Sequence, residues 1–456
     1  MKVCKFGGSS VADAAQVKKV CDIMVADRER RVVVVSAPGK RGKEDTKVTD
    51  MLITCAERAL EDLDVSRDVE AIVERYAVIQ RDLGLPDEVT AAISADLQGR
   101  VAADKSDRGA YIDLMKAAGE DNSAKLVAEA LRRRGVPAAY LNPAKAGMLL
   151  EGEPGDATLC DVSYGFLHDS IERVMWQPDN PIVVFPGFFG VNHSGQIATF
   201  PRGGSDITGA ILAAAMKAEC YENFTDVDTV YAVDPRVVPE VRHGISEMTY
   251  REMRELAYAG FGVFHDEAVM PAFRAGIPIN IRNTNHPELP GTWILPTRRV
   301  ESCRVVGIAS DSDFVHVYVD KYMMNREVGF GRKLLQIFEE EGVAFEHMPT
   351  GIDNITLILR GTKFPPDIQA RVLQRIKKEL APDQLICERD HALIMVVGEG
   401  MQHTVGTAAR ATRALAEAGV NIELINQDAS EISIMFGVRE SERAKAVKVL
   451  YKEFFA

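Results

Sequence analysis

Short unbroken apolar runs alternate with longer amphipathic stretches through the first 295 residues. The valines of Arg31-Val32-Val33-Val34-Val35-Ser36 and the core of Pro181-Ile182-Val183-Val184-Phe185 show no polar alternation, so they read as strands buried on both faces. Strands separated by helical segments predict a mostly parallel sheet and an α/β class. Residues 51–135 read as mainly helical, with a break near Gly84-Leu85-Pro86. Three prolines, a glycine and several charges crowd residues 286–303, which makes that stretch the best domain boundary.

Beyond the boundary the pattern becomes a weak internal repeat. Glu341-Gly342-Val343-Ala344-Phe345-Glu346 is echoed by Ala418-Gly419-Val420-Asn421-Ile422-Glu423, each closing a helix and opening a strand. The first copy predicts strand 314–319, helix 331–341, strands 344–348 and 354–359, helix 367–380 and strand 385–388. Leu334, Leu335, Ile337 and Phe338 share one face of its first helix, as packing on a sheet requires. This βαββαβ order is the ferredoxin-like pattern. The second copy predicts strand 392–397, helix 404–418, strands 422–425 and 431–436 and helix 441–455, ending one strand short. Val305-Val306-Gly307-Ile308-Ala309 is a spare strand, and strand counting assigns it to the second copy, with the first inserted inside it. The expected organisation is a domain at 1–295, a linker at 296–303, an inserted domain at 311–390, and a last domain built from 304–310 and 391–456.

At 456 residues the chain has material for two or three domains with buried cores. A net charge of −13 argues against a nucleic-acid surface, though converging local cations could still hold an anion. The seven cysteines are scattered with no Cys-x-x-Cys pair, so neither a structural zinc site nor a disulfide framework is expected. No signal peptide and no apolar run long enough to span a bilayer are seen, so a cytoplasmic protein without a membrane partner is expected.

Lys5-Phe6-Gly7-Gly8-Ser9-Ser10 falls between the apolar Val3-Cys4 and a helix-like stretch at 11–27. Glycines there let backbone N–H groups approach an anion, and the helix N-terminus adds partial positive charge. The plainer reading is a tight turn. The spacing is not that of a Walker loop. Ser10 and Asp13 fit a capping box, which predicts that the helix starts there. Pro201-Arg202-Gly203-Gly204-Ser205-Asp206 repeats the Gly-Gly turn ahead of an apolar helix at 207–216. The arginine fork suits a carboxylate or phosphate, and the aspartate would orient a lysine or sit near a metal–nucleotide complex. A capped helix with a solvated arginine is the alternative. In the stretch from Thr225-Asp226 to Asp234-Pro235-Arg236, Pro235 imposes an extended or turn geometry. The acids there read as an edge loop, or Tyr231 and Arg236 hold a base and polyphosphate. Ser36 at a strand end and Thr49 in the charged segment 39–50 could reach a small polar substrate. Glu120, in Gly119-Glu120-Asp121-Asn122-Ser123, reads as the N-terminal acid of a helix ending at Arg132-Arg133-Arg134-Gly135.

In this order the clusters resemble the aspartate kinases of the amino-acid kinase superfamily, over essentially the whole chain. The tail continues the resemblance, where Val397-Gly398-Glu399-Gly400-Met401 and Ile425-Asn426-Gln427 look like the second of two ACT domains. One departure stands out. Many members carry Gly-Ala-Lys-Val-Leu-His where this chain has Gly260-Phe261-Gly262-Val263-Phe264-His265, so no nucleotide lysine is carried over there.

The resemblance implies an amino-acid kinase fold, a mostly parallel central sheet with helices on both faces, plus two ferredoxin-like ACT domains. It implies ATP-dependent phosphorylation of the L-aspartate side chain, the first step toward lysine, threonine and methionine. Lys5 and Asp206 would be catalytic. Lys5, Gly7, Gly8 and Ser9 would face the ATP phosphates, and Thr225, Asp226, Tyr231 and Arg236 would line the nucleotide site. Ser36, Thr49, Glu120, Arg202 and Ser205 would bind aspartate. Mg²⁺ would arrive bound through ATP, with no protein metal site. Met324, Arg326, Val328 and Gly329 fall where the family's effector loop lies, Glu346, Thr350 and Asp353 lie on the following strand and loop, and lysine and/or threonine would be the inhibitor. The ACT domains imply a homodimer and leave room for a tetramer. The rivals are a kinase of the same superfamily acting on another acid and a non-catalytic amino-acid sensor. A fused homoserine dehydrogenase is disfavoured by length.

Overall fold

A computed structural model describes residues 1–261, 266–299, 305–427 and 429–456. They form two compact units. The first comprises Met1–Val230, Gly244–Tyr250 and the described part of Val263–Arg298. The second comprises Tyr231–His243 and the described parts of Arg251–Gly262 and Arg299–Ala456.

The first unit is built on an eight-stranded sheet. Its order is Glu247–Thr249, Thr292–Leu295, Ile279–Asn283, Cys220–Thr225, Lys2–Phe6, Arg30–Val35, Ile182–Pro186 and Ala138–Tyr140. Only Thr292–Leu295 against Ile279–Asn283 is antiparallel; the other pairs run parallel. Val32, Val33, Val34 and Val35 are fully buried, as strands covered on both faces must be. Phe6 and Phe224 stack across neighbouring central strands, ring centroids 4.7 Å apart.

Four helices, Val48–Leu60, Ser66–Leu83, Asp87–Val101 and Arg108–Arg133, follow the Arg30–Val35 strand. The second of them ends at Gly84 in the left-handed region, the expected helix stop. The first helix of the chain starts later than the Ser10–Asp13 pair predicts. Gly8–Val11 is a single 3₁₀ turn, and Asp13 caps Ala14–Ala26 by accepting from the Gln16 N–H at 2.9 Å. Ser10 cannot serve as the cap because its hydroxyl is bonded to Thr284 Oγ1 at 2.7 Å. Among the described residues, no helix is long and apolar enough to cross a membrane.

One ionic cluster is buried inside this unit. Glu222 Oε2 lies 2.6 Å from Arg30 Nε, and Glu222 Oε1 lies 2.8 Å from Arg282 Nη1. Both guanidiniums also sit over the Phe224 ring, at 5.5 and 5.6 Å from its centroid. Burial pushes the Glu222 carboxyl up, but the two cations outweigh it and hold it below its ordinary value.

The second unit carries a five-stranded antiparallel sheet in the order Asn354–Arg360, Gly307–Asp320, Gln384–Val397, Ser433–Arg439, Leu424–Asn426. Two of these strands have 14 residues each and run through two separate cores. Val315, Val317 and Val319 pack with Leu334, Ile337, Phe338, Val372 and Ile376. Ile308 packs instead with Ile394, Val396, Leu415, Phe436, Val447 and Leu450. The buried positions change from even to odd because the ladder shifts register between Asp311 and Phe314. Asp313 and Asp390 adopt positive φ there, 65° and 66°, a region aspartate tolerates better than most residues. The strand predicted at 344–348 is not a continuous strand. Only isolated bridges, His347 to Ile358 and Thr350 to Ile355, mark that path, since Pro349 has no N–H for a ladder.

Removing the central carboxylate would take the partner from the buried Arg30 guanidinium and the half-buried one of Arg282. Glu222→Gln is expected to cost about 3–5 kcal/mol in denaturant unfolding at neutral pH. Because the folded carboxyl titrates below its unfolded value near 4.5, its contribution is full above that pH and is lost as pH falls through the lower folded value. The stability gap between wild type and Glu222→Gln should therefore narrow on acidification. A gap that stays constant with pH would contradict this.

Candidate active site

The predicted site residues of the first unit collect at the carboxyl ends of the central parallel strands. Gly7, Gly8 and Ser9 leave Lys2–Phe6, Ser36 leaves Arg30–Val35, and Thr225 and Asp226 end and follow Cys220–Thr225. This edge is where open α/β sheets bind ligands. The turn after Lys2–Phe6 is held against its neighbours by Gly7 N–H to Phe224 O at 3.2 Å and Gly39 N–H to Gly8 O at 2.8 Å. A Cβ on Gly39 would come within 2.6 Å of the Gly8 backbone, so this crossing demands glycine.

Lys5 is buried on its strand, and its Nζ lies 2.6 Å from Asp206 Oδ1. Asp206 sits in the first turn of the Gly204–Ala215 helix, whose N-cap Gly203 takes a left-handed φ of 85°. Asn223 Nδ2 donates to the same Asp206 oxygen at 2.6 Å. The two Gly-Gly motifs, far apart in sequence, thus meet through a cation and a carboxylate.

Beside this pair opens a cleft of about 420 Å³. Ser36, Thr49, Glu120, Arg202, Ser205 and Asp206 all line it. Glu120 is not at a helix start as its sequence context suggests. It lies inside the 26-residue helix Arg108–Arg133 and is buried, because the small residues around it let that helix pack close. A Cβ on the preceding Gly119 would meet the Ala37 Cβ at 2.6 Å. Glu120 Oε2 has no hydrogen-bond partner, and burial drives the carboxyl up to about 7. A buried acid with an unused oxygen is ready to receive a cationic ligand group.

The cleft also holds residues that sequence reasoning missed. Lys47, Lys116 and Phe188 line its wall. Lys116 lies four residues before Glu120 on one helix, a spacing that puts both on one face and could have revealed it. Its Nζ pairs with Asp113 at 2.8 Å. Phe188 holds a φ of 77°, rare for an aromatic residue, with its N–H bonded to Thr208 Oγ1 at 3.0 Å.

Tyr231 and Arg236 belong to the second unit. Tyr231 is half-buried, and Arg236 is exposed and bonded to Asp234, Nη2 to Oδ2 at 2.7 Å. Gly262 and the rest of the segment to 265 lie outside the described residues. Among the predicted effector residues, Met324 and Arg326 bound a 3₁₀ turn, Val328 is 94% exposed, and Gly329 caps the Phe330–Glu340 helix. Asp353 Oδ1 accepts from the Met323 N–H at 3.0 Å, Glu346 accepts from the Tyr258 hydroxyl and lies 3.5 Å from Arg360 Nε, and Thr350 is exposed. The turn, Asp353 and the helix start thus fall together, whereas Glu346 lies toward the other end of the Asn354–Arg360 strand, its N–H bonded to Ile358 O at 2.8 Å.

Comparison with known proteins gives this geometry its context. The amino acid kinase family model matches residues 1–283, and an ACT domain model matches 394–454. Aspartokinase 3 of Bacillus subtilis is 53% identical over all of this chain and 99% of its own length. The aspartate kinase structure from Clostridium acetobutylicum superposes with a TM-score of 0.88 at 35% identity, covering both chains fully. Aspartokinase III of Escherichia coli, solved with aspartate and ADP in the R-state and with lysine and aspartate in the T-state, also covers both chains fully. Its TM-scores are 0.79 and 0.72, at 25% and 26% identity. The chain belongs to the amino acid kinase family, as one of its ACT-bearing aspartate kinases.

Proposed function

We propose that Lys5 and the cleft beside it transfer the γ-phosphoryl of ATP to the side-chain carboxylate of L-aspartate, giving 4-phospho-L-aspartate. The observation that carries this reading is the Lys5–Asp206 pair, 2.6 Å apart at the rim of a cleft with separate handles for both charges of an amino acid. The acceptor carboxylate has an ordinary pKa of about 3.9, so it is already ionised and needs no general base. The difficulty is bringing one anion to another, and positioning with charge neutralisation answers it. Lys5 offers the cation for the transferring group, and Asp206 and Asn223 fix where its ammonium stands. Arg202 clamps the substrate α-carboxylate, Glu120 receives its ammonium, and Ser36, Thr49 and Ser205 offer hydroxyls. Gly7, Gly8, Ser9, Thr225 and Asp226 are assigned to the nucleotide.

Mg²⁺ fits this donor set only through the substrate. Among the described residues, no group of three or more His, Cys, Asp or Glu donors gathers in the cleft, and Asp206 is the carboxylate that would face an ion held by the phosphates. Bound there, Mg²⁺ would neutralise phosphate charge.

The domain partition at 1–295, 311–390 and 304–310 with 391–456 is likewise proposed, supported by the pairing of Gly307–Asp311 with Leu393–Val397. The exposed apolar side chains Tyr322, Val328 and Ile352 support a second copy covering the effector loop, and thus a homodimer through the ACT domains. A cytoplasmic location agrees with the reaction proposed.

Lys5→Ala should lower kcat about 100–1000-fold with an unchanged circular dichroism spectrum. A folded variant of near-normal kcat would overturn the assignment. Glu120 gives a pH test. Below about 7 its carboxyl is protonated and cannot pair with an ammonium, so the aspartate KM should rise as pH falls, approaching tenfold per unit well below that value. Glu120→Gln should bind aspartate weakly and erase the inflection. In steady-state assays, lysine and/or threonine should inhibit at least about 5-fold, and Asp353→Asn should relieve the effect. Indifference to both amino acids would remove the regulatory reading.

A further inference from the structure

Away from the Lys5–Asp206 pair, three donors of different chemistry converge in the first unit. Glu151 ends a short strand that pairs antiparallel with Thr158–Leu159, and Cys160 follows that partner strand. His193 lies in the turn joining the Phe189–Val191 and Ile197–Thr199 strands. The backbone fixes all three near one another. Leu149 forms a bridge with Val191, and the Cys160 N–H donates to Leu149 O at 3.0 Å. The His193 turn is set by Asn192, whose Oδ1 accepts from the N–H groups of Ser194 at 3.0 Å and Gln196 at 2.9 Å.

Cys160 Sγ stands 3.8 Å from His193 Nε2, and one donor atom from each of the three residues lies within 4.8 Å of the others. A tetrahedral zinc, with Zn–S about 2.3 Å and Zn–N about 2.0 Å, places its sulfur and nitrogen ligands about 3.5 Å apart. The Cys160–His193 spacing is therefore already close to that of a ligand pair. Glu151 and His193 are exposed while Cys160 is buried, so the sulfur forms the floor and the other two can close over an ion by rotamer adjustment. A sulfur, a nitrogen and an oxygen together suit a borderline-soft ion and disfavour Mg²⁺ or Ca²⁺.

We propose that Glu151, Cys160 and His193 form a Zn²⁺ site, with water as the fourth ligand. The ion would tie the hairpin of Glu151 and Cys160 to the turn of the hairpin that carries His193. The loop between Glu151 and Thr158 carries Gly155, which lines the cleft and donates its N–H to Asp113 at 2.9 Å. Zinc would thus brace a wall of the cleft without entering it.

Full-length protein stripped with a chelator and titrated with Zn²⁺ by calorimetry should bind one ion per chain. Co²⁺ should give a thiolate-to-metal absorption band in the near ultraviolet. Cys160→Ser should abolish that band, whereas Cys387→Ser, a change at a half-buried thiol of the second unit, should keep it. His193→Gln, in an exposed turn where folding is undisturbed, should weaken Zn²⁺ binding more than about 10-fold, and Glu151→Gln should do likewise. Absence of saturable Zn²⁺ binding by the intact chain, or a Co²⁺ band surviving in Cys160→Ser, would overturn the site.

Discussion

A lysine ammonium buried on a strand of the central sheet is the constraint around which the first unit is arranged. Left unpaired, such a charge costs several kcal/mol of desolvation. Asp206 answers Lys5 at 2.6 Å, and the helix start that presents Asp206 requires the left-handed Gly203 before it. Asn223 then fixes the carboxylate from the neighbouring strand. Consecutive residues on a strand face opposite ways, so Glu222 and Asn223 divide the work. Glu222 gathers Arg30 and Arg282 on one face of the sheet, and Asn223 supports the Lys5–Asp206 pair on the other. The same strand thus carries both a structural ion cluster and the scaffold of the site.

Much of this was legible in the chain. The unbroken valine run announced a strand covered on both faces, and the Gly203-Gly204 motif announced a helix start. What stayed hidden depended on contacts distant in sequence. Ser10 looked like a cap until Thr284 claimed its hydroxyl. Glu120 looked like a helix-start acid because its neighbours are small and polar, yet those small residues are what allow a long helix to bury it. The path at 344–348 had a strand's composition, but Pro349 limits it to bridges. Lys116 could have been read from its helical spacing to Glu120, whereas Phe188 could not, since its backbone conformation goes with the hydrogen bond from its N–H to Thr208, twenty residues away.

The Glu151–Cys160–His193 cluster shows the same limit. No spacing rule links these residues, and the absence of a Cys-x-x-Cys pair argued against a metal. Two hairpins joined through Leu149 and Val191 create the proximity. Donor sets assembled from separate loops are invisible to motif reading because the backbone between them is free to vary in length.

The register shift in the five-stranded sheet gives the second unit something like a reading frame. Gly307–Asp320 and Gln384–Val397 each supply inward residues to two cores, and the change of phase near Asp311 keeps both in step. One residue inserted or deleted on either side of that point would turn half of a strand inside out while leaving the other half correct. Length variation among descendants of this chain should therefore be confined to the connections between helices and strands. The two long strands would keep their residue count even where their side chains drift.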